Sequence, residues 1–133
     1  MQIAYSGGYK YQLKSDYVVD VGIGLAVNTQ FLVLTGNGDL FIKSGYAWDG
    51  PSGPTFDTNN FMRGSLVHDA LYQLMREGHI PESYREHADG LLQRMCVEDG
   101  MTAIRAWWVY KAVRFAGGPS AARGSGKPVL CAP

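Results

Sequence analysis

The spacing of apolar residues changes once along this chain. Short runs rich in Tyr, Val, Ile, Leu and Phe, broken by turn signals, fill the first 48 residues and predict strands. Tyr9 to Leu13, Tyr17 to Val21, Gln30 to Thr35 and Asp39 to Lys43 are the expected strands. The last two flank Gly36-Asn37-Gly38, a hairpin signal, because Asn-Gly supplies the positive φ angles of a tight turn. The expectation is one small, strongly twisted antiparallel sheet. Residues 45 to 60 then read as a loop, in which Pro51 and Pro54 fix φ while Gly50 and Gly53 permit unusual angles. Such a loop suits backbone oxygens or amides aimed at a ligand, and it suits a structural cross-over equally well.

Beyond residue 60 the period becomes helical. The first helix runs from about Asn60 to Glu77, capped by Asp57, Thr58 or Asn59 and stopped by Gly78. Met62, Leu66, Ala70 and Leu74 form one stripe, widened by Val67, Leu71 and Met75, which places this helix at the centre of a core. The second begins near Pro81-Glu82, ends at Gly100, and buries Tyr84, Ala88, Leu91, Leu92 and Met95. The third runs from about Thr102 to Ala116 and stops at Gly117-Gly118-Pro119. By spacing, its Ile104, Trp108, Ala112 and Phe115 face inward, with Trp107 a partly exposed neighbour. The fold class is α+β, a small N-terminal antiparallel β-sheet followed by a three-helix bundle. Residues 1–118 form a single domain, and residues 119–133 a flexible C-terminal tail rich in small residues.

Composition narrows the partners. The chain has 133 residues, 46% of them apolar and 18% charged, so an ordinary globular core is expected and disorder is not. Twelve basic and twelve acidic residues cancel, and nucleic acid is not the expected partner. The cancellation is uneven: Arg105, Lys111, Arg114, Arg123 and Lys127 lie in residues 101–133 with no acid among them. This excess suits an anionic membrane surface, or only a basic helix end and a solvated tail. Cys96 and Cys131 make neither a disulfide framework nor a metal clasp, so a reducing compartment is the simpler expectation. No secretory signal and no membrane span are expected.

Candidate chemistry centres on Leu66-Val67-His68-Asp69-Ala70-Leu71-Tyr72, a His-Asp pair in an otherwise apolar helix. Burying such groups without partners costs several kcal/mol, so they are paired or reactive. His68 and Tyr72 are four apart and share a face. If the first two helices pack antiparallel, Asp89 lies across from His68. A carboxylate on one imidazole nitrogen leaves the other to take a proton from water. His68, Asp89 and Tyr72 are therefore the candidate catalytic residues. Asp69, pointing toward the loop, is a candidate ligand for a divalent metal together with loop oxygens, calcium in preference to zinc; a hard cation such as calcium wants many oxygens, so backbone carbonyls must contribute. Asp49 is the loop's own candidate metal ligand, unless it only starts a turn. Zinc held by His68, Asp69, His79, His87 and Asp89 is the competing chemistry, although the spacing matches no strong zinc signature. The same residues also suit an inert polar network that pins two helices and a loop.

Gly45-Tyr-Ala-Trp-Asp-Gly-Pro-Ser-Gly-Pro54, Leu66-Val-His-Asp-Ala-Leu-Tyr72, Ala88-Asp89 and Trp108-Val-Tyr-Lys-Ala-Val-Arg-Phe-Ala-Gly-Gly118 together resemble the phage and prophage family called domain of unknown function 1353. The likeness runs in order over about residues 5–118; Pro51-Ser-Gly-Pro54 stands where that family usually has Ala-Ser-x-Pro. It implies a phage-encoded protein of the virion or the infected host cytoplasm, with virion or tail proteins as partners. More distantly, Tyr46 to Pro54, His68-Asp69-x-x-Tyr72 and Asp89 are similar to the calcium loop, helix motif and partner carboxylate of phospholipases A2, without the disulfides of the secreted enzymes. That likeness implies a hydrolase with His68 as base, Asp69 as calcium ligand and Asp89 as orienter, acting on a lipid ester or another cell-envelope substrate. The alternatives are a non-enzymatic structural or accessory protein and a host-directed binding protein.

Overall fold

A computed structural model of the chain describes residues 5–6, 11–48 and 59–122. Asp49, most of the Gly/Pro-rich loop, Cys131 and residues 123–133 lie outside the described residues. The chain is mixed α+β and falls into two compact units, with 2–49 as the main segment of one and 50–127 of the other.

The strand unit holds two antiparallel sheets where the sequence suggested one. Strands β1 (Tyr5–Ser6), β2 (Tyr11–Leu13) and β7 (Ala47–Trp48) form the first, in the order β1-β2-β7. Strands β3 (Tyr17–Asp20), β4 (Val27–Asn28), β5 (Leu32–Leu34) and β6 (Asp39–Ile42) form the second, in the order β3-β6-β5-β4. The chain passes between the sheets twice, and the two crossings are tied together. The Ser44 amide donates to Asp16 Oδ1 at 2.8 Å, and the Ser44 hydroxyl donates to the Lys14 carbonyl at 3.0 Å. Ala47 and Trp48, expected in the loop, instead pair with Gln12 and Tyr11.

Alternation sets the faces of the second sheet. The cross-strand pairs Leu32–Ile42 and Leu34–Leu40 are buried, while Phe41 and Val18, themselves opposite each other, point outward. The β5–β6 hairpin differs from the expected Asn-Gly turn. Gly38 donates to the Thr35 carbonyl at 3.0 Å and takes φ +92°, while Asn37 keeps a negative φ. This is a turn followed by one left-handed glycine, a geometry in which the asparagine needs no positive φ.

The helical unit contains α1 (Asn59–Arg76), a short 3₁₀ turn (Glu82–Tyr84), α2 (Arg85–Glu98), α3 (Ala103–Ala116) and α4 (Gly118–Ala121). Helix α1 is apolar nearly all round and nearly all buried, as its sequence requires. Descending α2 numbers meet ascending α1 numbers, so the pair is antiparallel. A Cβ on Gly64 would lie 2.9 Å from Leu92 Cδ1, His68 meets Asp89, and Tyr72 meets Arg85. Both helices end alike. Gly78 (φ +79°) and Gly100 (φ +104°) are the left-handed residues. The amides after them, of His79 and Met101, return at 2.9 Å to the carbonyls of Leu74 and Cys96, which satisfies carbonyls that a helix end otherwise leaves unpaired.

Helix α3 departs from its expected orientation. It buries Ala106 and Val109, with Val113 partly covered, against Phe61, Leu92, Cys96 and Met101. Ile104, Trp108 and Phe115, expected inside, are 70%, 62% and 94% exposed, and Ala112 is exposed as well. Two stripes run along this helix, and the one with smaller side chains allows the closer approach to α2. Residues 118–121 form the short helix α4, and Ala121 is buried.

Candidate functional site

Helices α1, α2 and α3 converge on one carboxylate. Asp89 is completely buried, 0% exposed. Its Oδ1 accepts from the Tyr72 hydroxyl at 2.6 Å and lies 2.7 Å from His68 Nε2. Its Oδ2 accepts from Arg114 Nη1 at 3.0 Å, with Arg85 Nε at 4.0 Å. Burial alone would raise the carboxyl's pKa; hydrogen bonds from His68 and Tyr72, the His68 charge and the Arg114 bond outweigh it and hold Asp89 below the ordinary value of 3.8. An ionised carboxylate only accepts, so His68 Nε2 carries the proton in their shared bond.

That bond fixes the tautomer. Nδ1 is then the imidazole nitrogen left for proton transfer, and it lies 4.0 Å from Oδ1 of the partly exposed Asp69. The His68 ring packs against the Tyr72 ring with centroids 4.2 Å apart. Burial works to lower the His68 pKa, but Asp69 and Asp89 more than offset it and keep the imidazole above 6.5. Tyr72 is shifted upward by burial and by the neighbouring Asp89 carboxylate, so it stays a donor.

Of the residues singled out in the sequence, His68, Tyr72 and Asp89 come together, and Asp69 stands beside them. Asp49 lies outside the described residues. His79 is paired with Glu77 at 3.5 Å, and His87 stacks edge-on against Tyr84. Among the described residues no three His, Cys, Asp or Glu side chains gather as a metal cage. Asp69 is a partly exposed oxygen donor of the kind a hard cation takes.

Three participants were not anticipated. Arg85 donates from Nε to the Tyr72 hydroxyl at 3.2 Å and from Nη2 to the carbonyls of Val113, at 3.2 Å, and Arg114. It precedes Asp89 by four residues, a helical ion-pair spacing that the sequence does display. Arg114 looked like part of a surface excess of charge; its guanidinium turns instead to Asp89. Gly117 looked like a helix stop, yet a Cβ there would fall 2.7 Å from the Tyr72 hydroxyl oxygen and 2.6 Å from the Val113 carbonyl. No local pattern announces the last two, because each depends on how α3 docks.

A family model described as "Protein of unknown function (DUF1353)" matches residues 25–113. The match takes in His68, Asp69, Tyr72, Arg85 and Asp89 and stops one residue before Arg114. No curated protein and no solved structure matches the chain. Among the described residues no helix is long and apolar enough to cross a membrane.

Proposed function

The chain belongs to the DUF1353 family of proteins of unknown function, and on that footing we propose that it is a hydrolase-like protein whose proton-transfer group is His68. One observation carries the reading. A completely buried carboxylate holds His68 Nε2 at 2.7 Å and thereby turns Nδ1 toward the partly exposed Asp69. In the proposed reaction neutral His68 takes a proton from water at Nδ1 as that water attacks a carbonyl carbon. Asp89 stabilises the imidazolium that forms. Collapse of the tetrahedral adduct breaks the ester C–O bond, and the same proton passes to the leaving alkoxide. Tyr72, Arg85 and Arg114 keep Asp89 ionised and fixed, and act as positioning residues.

Asp69, a partly exposed carboxylate, would contribute to holding a divalent cation, calcium in preference to zinc, which when bound supplies polarisation of the substrate carbonyl. The substrate class is a lipid ester or another cell-envelope component. The setting is a phage virion, at its tail or interior, or the infected host cytoplasm. These follow from the two resemblances given on the sequence.

A second reading is favoured by Arg85. Its guanidinium spans Tyr72 on α1 and two carbonyls of α3, so the same network is also a three-helix fastening. In that case the chain is a structural or accessory virion component, or a host-directed binding protein. Hydrolysis of short-chain and phospholipid esters, measured with and without calcium, separates the readings. Turnover that His68→Ala abolishes while helix content and melting stay near wild type supports the hydrolase. Absence of turnover across those esters, with loss of folding in His68→Ala, leaves the fastening.

A further inference from the structure

Helix α3 presents an apolar face that nothing covers among the described residues. Ile104, Trp107, Trp108 and Phe115 are 70%, 43%, 62% and 94% exposed. At about 100° per residue they fall, with Lys111 among them, within an arc of roughly 100° on the side opposite Ala106 and Val109. The two indoles pack edge to face at 5.1 Å, and the Lys111 ammonium sits 5.4 Å from the Trp107 ring. Large side chains so exposed on one helix mark a contact surface rather than scattered surface residues.

The composition of the face selects the occupant. Tryptophan favours the boundary between headgroups and acyl chains, where an apolar ring and a polar N–H are both satisfied. On this face the helix carries Lys111 and no acid, Arg114 being turned to Asp89, and residues 101–133 as a whole contain no Asp or Glu. A second copy is a poor fit. Two-fold pairing of this face would bring each Lys111 toward its own mate, with no carboxylate on the helix to compensate. An anionic surface meets the lysine favourably and receives the aromatic side chains on either side of it.

We propose that the Ile104–Trp107–Trp108–Phe115 face of α3, centred on Lys111, docks on the surface of an anionic lipid bilayer. Arg114, next to Phe115 in the chain, reaches Asp89 at 3.0 Å, so the docked helix is also the one that closes the His68 network. The proposal deepens the hydrolase reading, on which it rests only for its purpose, by naming the bilayer as the place where the ester is met. Binding is measured without hydrolysis, so the two ideas fail separately.

The experiment uses the full chain and vesicles of ether-linked phosphatidylcholine, with or without ether-linked phosphatidylglycerol. Trp107 and Trp108 are exposed and Trp48 is buried, so a blue shift of tryptophan emission reports the α3 face entering the interface. Wild type should co-sediment with the anionic vesicles and shift blue. Trp108→Ser/Phe115→Ser, at exposed positions, should keep its helix content and lose the binding. Lys111→Glu should bind anionic vesicles roughly tenfold more weakly or worse, with little change on neutral ones. Wild type that ignores anionic vesicles overturns the proposal. So does a wild-type dimer in sedimentation that the double substitution dissociates, because the face then belongs to a second copy.

Discussion

His68 Nε2 and Asp89 Oδ1 meet at 2.7 Å across two helices, 21 positions apart in the chain. The contact is an energetic commitment as well as a chemical one, because Asp89 has no exposure and also receives Tyr72 and Arg114. Removing the carboxylate strands three donors, one of them a guanidinium. Asp89→Ala is expected to destabilise the helical unit by about 3–5 kcal/mol, read as a shift in urea midpoint by far-ultraviolet circular dichroism. A loss of under about 1 kcal/mol would mean the network adds little beyond solvated contacts.

Stability should depend on pH from both sides of this contact. Asp89 is held below 3.8 in the folded chain, so its stabilisation is complete above 3.8 and fades as pH falls through the lower folded value. His68 is held above 6.5, so its stabilisation is complete below 6.5 and fades as pH rises through the higher folded value. A plateau between 3.8 and 6.5 with a decline on each flank is the expected contribution. His68→Gln should flatten the alkaline flank and leave acid unfolding driven by Asp89. An alkaline flank unchanged by His68→Gln would show that another group produces it.

Gly117 gives a sharper packing test. An alanine there would place its Cβ within 2.7 Å of both the Val113 carbonyl and the Tyr72 hydroxyl oxygen, closer than atoms tolerate. Gly117→Ala should therefore cost about 1–3 kcal/mol and displace Tyr72 from Asp89. Gly90, inside α2, has nothing within 4 Å of its notional Cβ, so Gly90→Ala should stabilise by about 0.5–1 kcal/mol through helix propensity. Equal effects at the two positions would contradict the close approach of α3 to Tyr72. Tyr72→Phe, which deletes only the hydroxyl, is expected to relieve part of the Gly117→Ala penalty.

Periodicity was enough to place α1 and α2 and to bring His68 toward Asp89, because helical spacing within one element is a local property. The glycines at 78 and 100 ended those helices for a reason visible in the chain, the left-handed turn each one makes. Helix α3 was located correctly but rotated wrongly. Its bulkier stripe, Ile104-Trp108-Phe115, reads as the inward face by spacing, whereas the docking surface of α2 accepts Ala106 and Val109. The inward turn of Arg114 follows from that docking and has no signature in sequence. The division of the strands into two sheets was hidden for a related reason. It depends on the crossings at Lys14–Asp16 and Lys43–Tyr46, which long-range hydrogen bonds tie together. Strands such as Val27–Asn28 and Ala47–Trp48 are two residues long, too short for any alternation to show.

The cation proposed at Asp69 makes the most direct prediction. A ligand that binds the folded chain alone stabilises it by RT ln(1 + [L]/Kd), about 2.7 kcal/mol at a hundredfold excess over Kd. Calcium at millimolar concentration should then raise the melting temperature by several degrees, and Asp69→Asn should abolish that rise. Because Asp69 Oδ1 lies 4.0 Å from His68 Nδ1, a cation engaging this carboxylate also opposes the imidazolium, so calcium should move the His68 titration downward when followed by proton NMR. Magnesium, which prefers fewer protein oxygens and a stricter octahedron, should shift both readouts less. Melting and titration that are indifferent to calcium in the wild-type chain would remove the metal from the proposal and leave His68 and Asp89 to act without it.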